Sequence, residues 1–225
     1  MINALARSSY YRRLLSLPLF GRHWSRQIDR LDFRSGLGDS AWLLYGLSRS
    51  LKPAVAVEIG SARGKSACYV GIALKENGKG HLYAIDPHTS TNWNDTESVE
   101  TYETMRKHLA LLNLTDVVTI VRHHSGRAVH QVAKPIDLLF IDGDHSYDGV
   151  KADWRSFTPY MSRFGIVVFH DTIWDLNPGG KLHRGDMGVP QFVEELRRDG
   201  FPILTIDRDY GVSLVQPAVG GIALI

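Results

Sequence analysis

Cysteine is almost absent from this chain of 225 residues, which contains only Cys68. A single cysteine excludes an intramolecular disulfide and favours a reducing, cytoplasmic location. Long apolar runs are also lacking, since none approaches the roughly 18–20 residues that a membrane-spanning helix needs. With 44% hydrophobic and 22% charged residues, the composition is typical of a globular protein with a sizeable core.

Charge of one sign is concentrated only at the N-terminus. The net charge is +2, but residues 1–30 contain six arginines and one acid, Asp29. The apolar stretch LLSLPLF is interrupted by Ser16 and Pro18, and no A-x-A cleavage motif follows it, so a signal peptide is disfavoured. We favour a solvated segment packed on the domain by a few leucines. The alternatives are a helix that touches a membrane surface and a cap on the substrate side.

Seven short apolar segments alternate with helical patterns along the rest of the chain. They lie at 55–60, 81–86, 117–121, 135–142 and 165–171, followed by ILTID and GVSLVQ. This alternation predicts a parallel sheet covered by helices on both faces. The last two segments are too close for a crossover helix, so they are expected to pair as an antiparallel hairpin.

The predicted fold class is therefore α/β. It is a doubly wound, mostly parallel seven-stranded sheet with an antiparallel C-terminal hairpin. We divide the chain into a basic N-terminal segment, residues 1–38, and one domain, residues 39–225. Residues 172–190 are long and rich in Gly and Pro, which indicates a functional loop. Trp154 falls on the apolar stripe of a helix and is expected in the core.

A glycine turn follows the first predicted strand, in the stretch VEIGSARGKSA. Only three residues separate Gly60 from Gly64, one fewer than a phosphate-binding P-loop requires. The dinucleotide pattern G-x-G-x-x-G also fails, because Ala62 and Lys65 stand where it needs glycine. The remaining pattern, with Glu58 just before the turn, favours a ligand with a cationic end over a polyphosphate. A tight turn without a ligand is the alternative.

Polar residues follow each of the first five predicted strands. In a doubly wound sheet, ligands bind at the carboxyl ends of the strands. Asp86 ends the second strand, 26 residues after Gly60, where an acid can accept hydrogen bonds from ribose hydroxyls. The other strand ends carry His123, His124 and Ser125, then Asp142, Asp144 and His145, then His170 and Asp171.

These motifs resemble those of the class I S-adenosylmethionine-dependent methyltransferases. VEIGSARGKSA resembles their first motif and AID at 84–86 their second, within a resemblance that covers about residues 40–216. IDGDHSYDGVKADW and VVFHD resemble the small-molecule O-methyltransferases of the catechol, macrolide-sugar and cephalosporin-hydroxylase-like types. The resemblance implies a Rossmann-like methyltransferase fold with S-adenosylmethionine as the cofactor.

The resemblance also implies which residues contact the cofactor. They are Glu58, Gly60, Ser61, Gly64 and Ser66 at the methionine end, Asp86 at the ribose, Ser125 near the adenine and Asp142 beside the sulfonium.

Catechol-type enzymes place Mg²⁺ on acids at the ends of the fourth and fifth strands, where this chain has Asp142 and Asp171. Such an ion binds the acceptor hydroxyl, lowers its pKa and orients it. The residue before Asp171 is His170, and imidazole suits Zn²⁺, Fe²⁺ or Mn²⁺ better than Mg²⁺. The implied ligands are thus Asp142, His170 and Asp171, with the identity and the presence of the ion left open.

Catalysis without a metal is the main alternative at these strand ends. The predicted catalytic residues are Asp142, His145 and His170, and either histidine can act as the general base. A purely structural polar cluster is a third interpretation, and the iron site of an oxygenase ranks lowest.

The predicted function is methylation of a hydroxyl group on a small molecule, such as a sugar, a phenol or a natural product. The alternatives are a non-catalytic protein that binds S-adenosylmethionine and a methyltransferase acting on nucleic acid. The resemblance implies that nucleic acid is not an expected partner, because N-methylating members of the superfamily usually carry an N/D-P-P-Y stretch after the fourth strand, where this chain has IDGD. A homo-oligomer is expected, and the basic N-terminus is compatible with peripheral membrane contact.

Overall fold

The computed structural model describes residues 27–89, 101–174 and 184–217. The chain divides into two units, Met1–Arg34 and Ser35–Ile225, and the elements below belong to the second. Most of the predicted N-terminal segment lies outside the described residues, so its boundary at residue 38 stays a prediction. Among the described helices, none has both the length and the apolar character needed to cross a membrane.

The strands form one sheet over the described part of the chain. They are β1 (Val55–Ile59), β2 (His81–Ile85), β3 (Val118–Val121), β4 (Ile136–Ile141), β5 (Met161–His170), β6 (Ile203–Ile206) and β7 (Val212–Val215). Their order is β3-β2-β1-β4-β5-β7-β6, and β1 to β5 pair in parallel. Only β7 runs antiparallel to its two neighbours, β5 and β6. The predicted fold class is confirmed.

Helices connect these strands. They are α1 (Ser40–Leu51), α2 (Lys65–Asn77), α3 (Thr101–Leu111), α4 (Ser125–Ala128), α5 (Tyr147–Phe157) and α6 (Val189–Arg198). Helix α5 ends at Phe157, because Pro159 lies in a 3₁₀ turn, Thr158–Tyr160. Strand β5 accordingly begins at Met161, four residues before the predicted start.

One large cluster of the core lies between the sheet and helices α5 and α6. Trp154 is 8% exposed, as its place on the helical stripe predicts. Its ring stacks on Phe169 of β5 at 5.8 Å and meets Phe192 of α6 edge-on at 6.2 Å. This aromatic cluster fixes α5 and α6 against the two strands whose carboxyl ends carry the candidate site.

Backbone hydrogen bonds continue past the ends of β1, β2 and β4. The amide of Gly60 donates to the Ile85 carbonyl, and the amide of Asp142 donates to the Ile59 carbonyl, each at 2.9 Å. The three strands therefore finish level with one another, and the polar residues that follow them meet at one edge.

Candidate active site

The two glycines of the turn are required by the backbone and by close packing. Gly60 has a φ of +87°, and a Cβ there would overlap the carbonyl oxygen of Asp142. Gly64 has a φ of +82°, and a Cβ would lie 2.7 Å from Cγ of Met105 on α3. L side chains rarely adopt such φ values. The turn thus packs closely against the residue after β4 at Gly60 and against α3 at Gly64.

Glu58 lies at the base of this turn and is fully buried. Ser66 donates a hydrogen bond to its Oε1, whereas Oε2 has no hydrogen-bond partner among the described residues. Burial raises the pKa of Glu58 to about 8, although the Ser66 hydrogen bond lowers it; the charges of Asp142 and Asp86 raise it further. The buried hydroxyl of Ser61 also lacks a partner among the described residues. Orphaned buried polar atoms are costly, so both fit a site that a polar ligand completes.

Asp86 connects the end of β2 to the glycine turn. Its Oδ2 accepts the amide of Ala62 at 2.8 Å, and its Oδ1 accepts the amide of His88 at 2.6 Å. A carboxylate has roughly four acceptor positions, so two hydrogen bonds leave capacity for ribose hydroxyls. The sequence predicted the ligand contact but not this structural role.

Ser125 begins α4 and hydrogen-bonds Asp153, a buried acid on α5. Burial raises the pKa of Asp153 to about 7, while the Ser125 hydrogen bond lowers it and the charge of Asp144 raises it. Asp153 was missed by the sequence analysis, because one acid beside the apolar stripe of a helix matches no motif.

Four predicted residues converge at the carboxyl ends of β4 and β5. Nδ1 of His170 lies 3.1 Å from Oδ1 of Asp142 and 3.2 Å from Oδ1 of Asp171. Nδ1 of His145 lies 3.2 Å from Oδ2 of Asp171. One ligand atom from each of Asp142, His170 and Asp171 falls within 4.8 Å of the others.

The second nitrogen of His170 determines where the ring carries its protons. Nε2 lies 2.8 Å from the backbone carbonyl of Asp209, which can only accept, so Nε2 must carry hydrogen. In a neutral ring, the lone pair of Nδ1 would then face two carboxylates. Burial lowers the pKa of His170, but Asp142 and Asp171 outweigh burial and hold this pKa well above its ordinary value. The ring is therefore an imidazolium, unless a cation lies between Nδ1 and the carboxylates.

Other candidates do not join this cluster. Oδ1 of Asp144 accepts the amide of Ser146 at 2.9 Å, next to the start of α5. His123 and His124 are exposed after β3. Two further tryptophans were predicted in loops beside the strand ends. Trp174 stacks on Tyr210 with ring centroids 4.5 Å apart, whereas Trp93 lies outside the described residues.

Comparison with known proteins identifies the family. A family model described as "Methyltransferase domain" matches residues 57–172, about half of the chain. The chain belongs to this methyltransferase family. The match begins in β1 and ends just after Asp171, so it covers the glycine turn and the polar strand ends. The predicted resemblance to class I methyltransferases is confirmed, and the individual residue roles stay predictions.

Two relatives in sequence carry no described activity. An uncharacterized protein of Sinorhizobium fredii is 29% identical over 167 residues, which are 70% of this chain and 17% of the relative. An uncharacterized protein of Acanthamoeba polyphaga mimivirus is 28% identical over 121 residues, 51% of this chain and 50% of the relative. The chain thus spans half or less of the length of these relatives.

Solved structures of methyltransferases share the fold. The S-adenosylhomocysteine-bound methyltransferase PaMTH1 of Podospora anserina has a TM-score of 0.66 at 16% identity, covering 95% of both chains. The O-methyltransferase TomG of Streptomyces achromogenes, in complex with S-adenosylmethionine, has a TM-score of 0.62 at 18% identity, covering 85% of this chain and 84% of TomG. An O-methyltransferase of Bacillus cereus has a TM-score of 0.65 at 14% identity, covering 96% of this chain and 100% of its own.

Proposed function

We propose that this methyltransferase transfers the methyl group of S-adenosylmethionine to a hydroxyl oxygen of a small molecule. The observation that carries the proposal is the convergence of Asp142, His145, His170 and Asp171 beside the glycine turn. A hydroxyl is a weak nucleophile until its proton is removed or its developing charge is balanced. This cluster supplies groups for both tasks.

The cofactor would lie along the ends of β1 and β2. The orphaned Oε2 of Glu58 supports an ammonium group at the methionine end, since such a group donates hydrogen bonds. Ser61 and Ser66 supply hydroxyls at the same end, and Asp86 would accept from the ribose.

The cluster also fits a divalent ion held by Asp142, His170 and Asp171. The donor set combines two carboxylates with one imidazole, and the ligand atoms lie within 4.8 Å of one another. When bound, such an ion would lower the pKa of the acceptor hydroxyl and balance its charge. The chain's own carboxylates would fix the direction from which the acceptor approaches.

His145 would be the general base in this proposal. Its Nδ1 can donate to Oδ2 of Asp171, which would orient the ring for taking the acceptor's proton. Asp171 would thus orient His145 through one oxygen while its other oxygen faces His170. Catalysis by a histidine base alone is the variant of the mechanism that needs no metal.

A methyl-transfer assay tests the proposal. The protein would be incubated with radiolabelled S-adenosylmethionine and panels of phenols, catechols, sugars and macrolides, with Mn²⁺ or with EDTA. We expect label in an acceptor and a loss of at least about 100-fold in kcat for Asp142→Asn. Leu204→Ala, on an exposed strand residue, serves as the control. Binding of S-adenosylhomocysteine without transfer to any acceptor would favour the non-catalytic alternative, and transfer to RNA or DNA would favour the nucleic-acid alternative.

We further propose a cytoplasmic homo-oligomer whose basic N-terminal segment is compatible with peripheral membrane contact. The single cysteine supports the location, and the arginine-rich residues 1–30 support the membrane contact. Analytical ultracentrifugation and vesicle sedimentation test the oligomer and the membrane contact.

A further inference from the structure

The turn between β6 and β7 connects the candidate site to the start of α1 through one residue, Asp209. Its backbone carbonyl accepts the Nε2 hydrogen of His170 at 2.8 Å. Its side-chain Oδ2 accepts two hydrogen bonds from Ser40, from the amide at 2.7 Å and from the hydroxyl at 2.9 Å. The two ends of Asp209 thus hold two parts of the domain that are 130 residues apart in sequence.

The backbone of this turn is held in an unusual conformation. Asp209, Tyr210 and Gly211 have φ values of +49°, +68° and +92°. Non-glycine residues adopt such values at a cost, and Asp and Asn tolerate them best. The turn therefore needs outside contacts to keep its shape, and the Asp209 side chain makes two of them, both with Ser40 at the start of α1.

Strand β5 is held to the same turn just beyond His170. The amide of Ile173 donates to the Tyr210 carbonyl at 2.9 Å, and the amide of Thr172 donates to the Gly211 carbonyl at 3.3 Å. The ring of Trp174 stacks on Tyr210. The position of the turn and the position of the His170–Asp171 corner are consequently coupled.

We propose that Asp209 is a positioning residue for His170. Its side chain anchors the turn to Ser40, and the anchored carbonyl then holds the imidazole with Nδ1 directed at Asp142 and Asp171. A buried histidine that acts through one nitrogen needs its other nitrogen fixed in this way, whether it binds a cation or carries a charge. The effect on catalysis rests on the proposed function, whereas the effect on the His170 ring does not.

The neighbouring ion pair between Arg208 and Asp39 provides a matched control. Its atoms lie 3.2 Å apart and join the same turn to the residue before α1, but neither partner contacts His170 through an observed hydrogen bond. Both side chains are more than one third exposed, so the pair is screened by water. Arg208→Ala therefore removes a link between the same two segments without changing the groups around His170.

Nuclear magnetic resonance of histidine-labelled protein tests the proposal without any acceptor. The Nε2 hydrogen of His170, assigned by its loss in His170→Asn, is expected to exchange slowly with water. Exchange should accelerate by about tenfold or more in Asp209→Ala, because the carbonyl is no longer held. Asp209→Asn should keep slow exchange, since one amide oxygen can accept both Ser40 donors.

Asp209→Gly separates the side-chain contact from the backbone preference. Glycine adopts the observed φ freely but cannot bond Ser40, so its exchange should resemble that of Asp209→Ala. If Asp209→Ala does not fold, as circular dichroism would reveal, Asp209→Gly and Ser40→Ala carry the test. Slow exchange retained in Asp209→Gly and Ser40→Ala would overturn the proposal, as would an equal acceleration in Arg208→Ala.

Kinetics supply a second readout once an acceptor is known. Asp209→Ala is expected to lower kcat by about tenfold or more with little change in KM for S-adenosylmethionine, the scale seen when a partner that orients a ligand is removed. Asp209→Asn should restore most of the activity. Absence of methyl transfer in the unmodified protein would refute the proposed function alone, because the exchange measurement still decides the role of Asp209.

Discussion

Glu58 and His170 are buried polar residues whose surroundings drive their charges in opposite directions. Without cofactor, burial holds Glu58 neutral up to about pH 8, whereas Asp142 and Asp171 keep His170 protonated against its burial. A neutral Glu58 and a charged His170 reduce the net negative charge among Asp86, Asp142 and Asp171. The protein thereby gathers several acids at one edge of the sheet without ionising all of them.

Glu58 should make the unfolding free energy depend on pH. Its pKa is about 8 in the folded chain and about 4.5 in the unfolded chain, so the folded state binds more protons between these values. Stability from this group is therefore present below about pH 4.5 and is lost as pH rises towards 8, by at most a few kcal/mol. Urea unfolding of the cofactor-free protein and of Glu58→Gln, at pH 5 to 8, measures this loss of unfolding free energy.

Between pH 5 and pH 8, the free energy of unfolding of Glu58→Gln is expected to fall less than that of the unmodified protein. Asp153→Asn provides the comparison, because the pKa of Asp153 is raised to about 7 and its contribution ends one pH unit lower. Parallel pH profiles for the unmodified protein and Glu58→Gln would contradict a raised pKa at this residue.

The glycine turn links β1 to α2 and packs closely against the residue that follows β4. Gly60→Ala would place a Cβ against the carbonyl of Asp142 and force a left-handed φ on alanine. We expect the affinity for S-adenosylhomocysteine, measured by calorimetry, to fall by about tenfold or more, because about 1.4 kcal/mol of strain already has that effect.

Gly126→Ala is the matched control for this element. A Cβ at Gly126 meets no atom within 4 Å, and Gly126 lies in α4 near the opposite end of the predicted cofactor site. Unchanged affinity in Gly60→Ala, with normal folding, would remove the glycine turn from the cofactor site.

At the scale of elements, the sequence was most informative where apolar periodicity and chain direction act together. All seven strands were predicted, because buried parallel strands are continuous apolar runs and a short connection permits only a hairpin. The boundary between α5 and β5 was misplaced, since Met161 continues the helical stripe and only Pro159 indicated the break. Asp209 could not be found, because it holds His170 through a backbone carbonyl that every residue type possesses.

At the scale of the domain, the unfolding free energy depends on aromatic contacts that join helices α5 and α6 to the sheet. Trp154 contacts Phe169, Phe192 and Phe201, from three different parts of the chain. Trp154→Ala should lower the unfolding free energy by about 3–5 kcal/mol, the usual cost of removing a buried aromatic side chain. Denaturant unfolding measures this loss, and Leu204→Ala, whose side chain is 61% exposed, should change stability little. A loss under about 1 kcal/mol for Trp154→Ala would mean that this cluster is not central to stability.

The direction of β7 determines which connections lie at the edge of the sheet that carries the candidate site. Because β6 runs in the same direction as β5, its carboxyl end faces the candidate site, and the hairpin turn lies beside His170. The described ends of the connection between β5 and α6 are hydrogen-bonded to the rest of the domain. Thr172 and Ile173 bond Gly211, Ser213 and Tyr210, and Gly188 bonds His145. An engineer who wanted to change the acceptor by exchanging that connection would therefore keep these end contacts. The Arg208–Gly211 turn would have to be transplanted intact, together with Ser40.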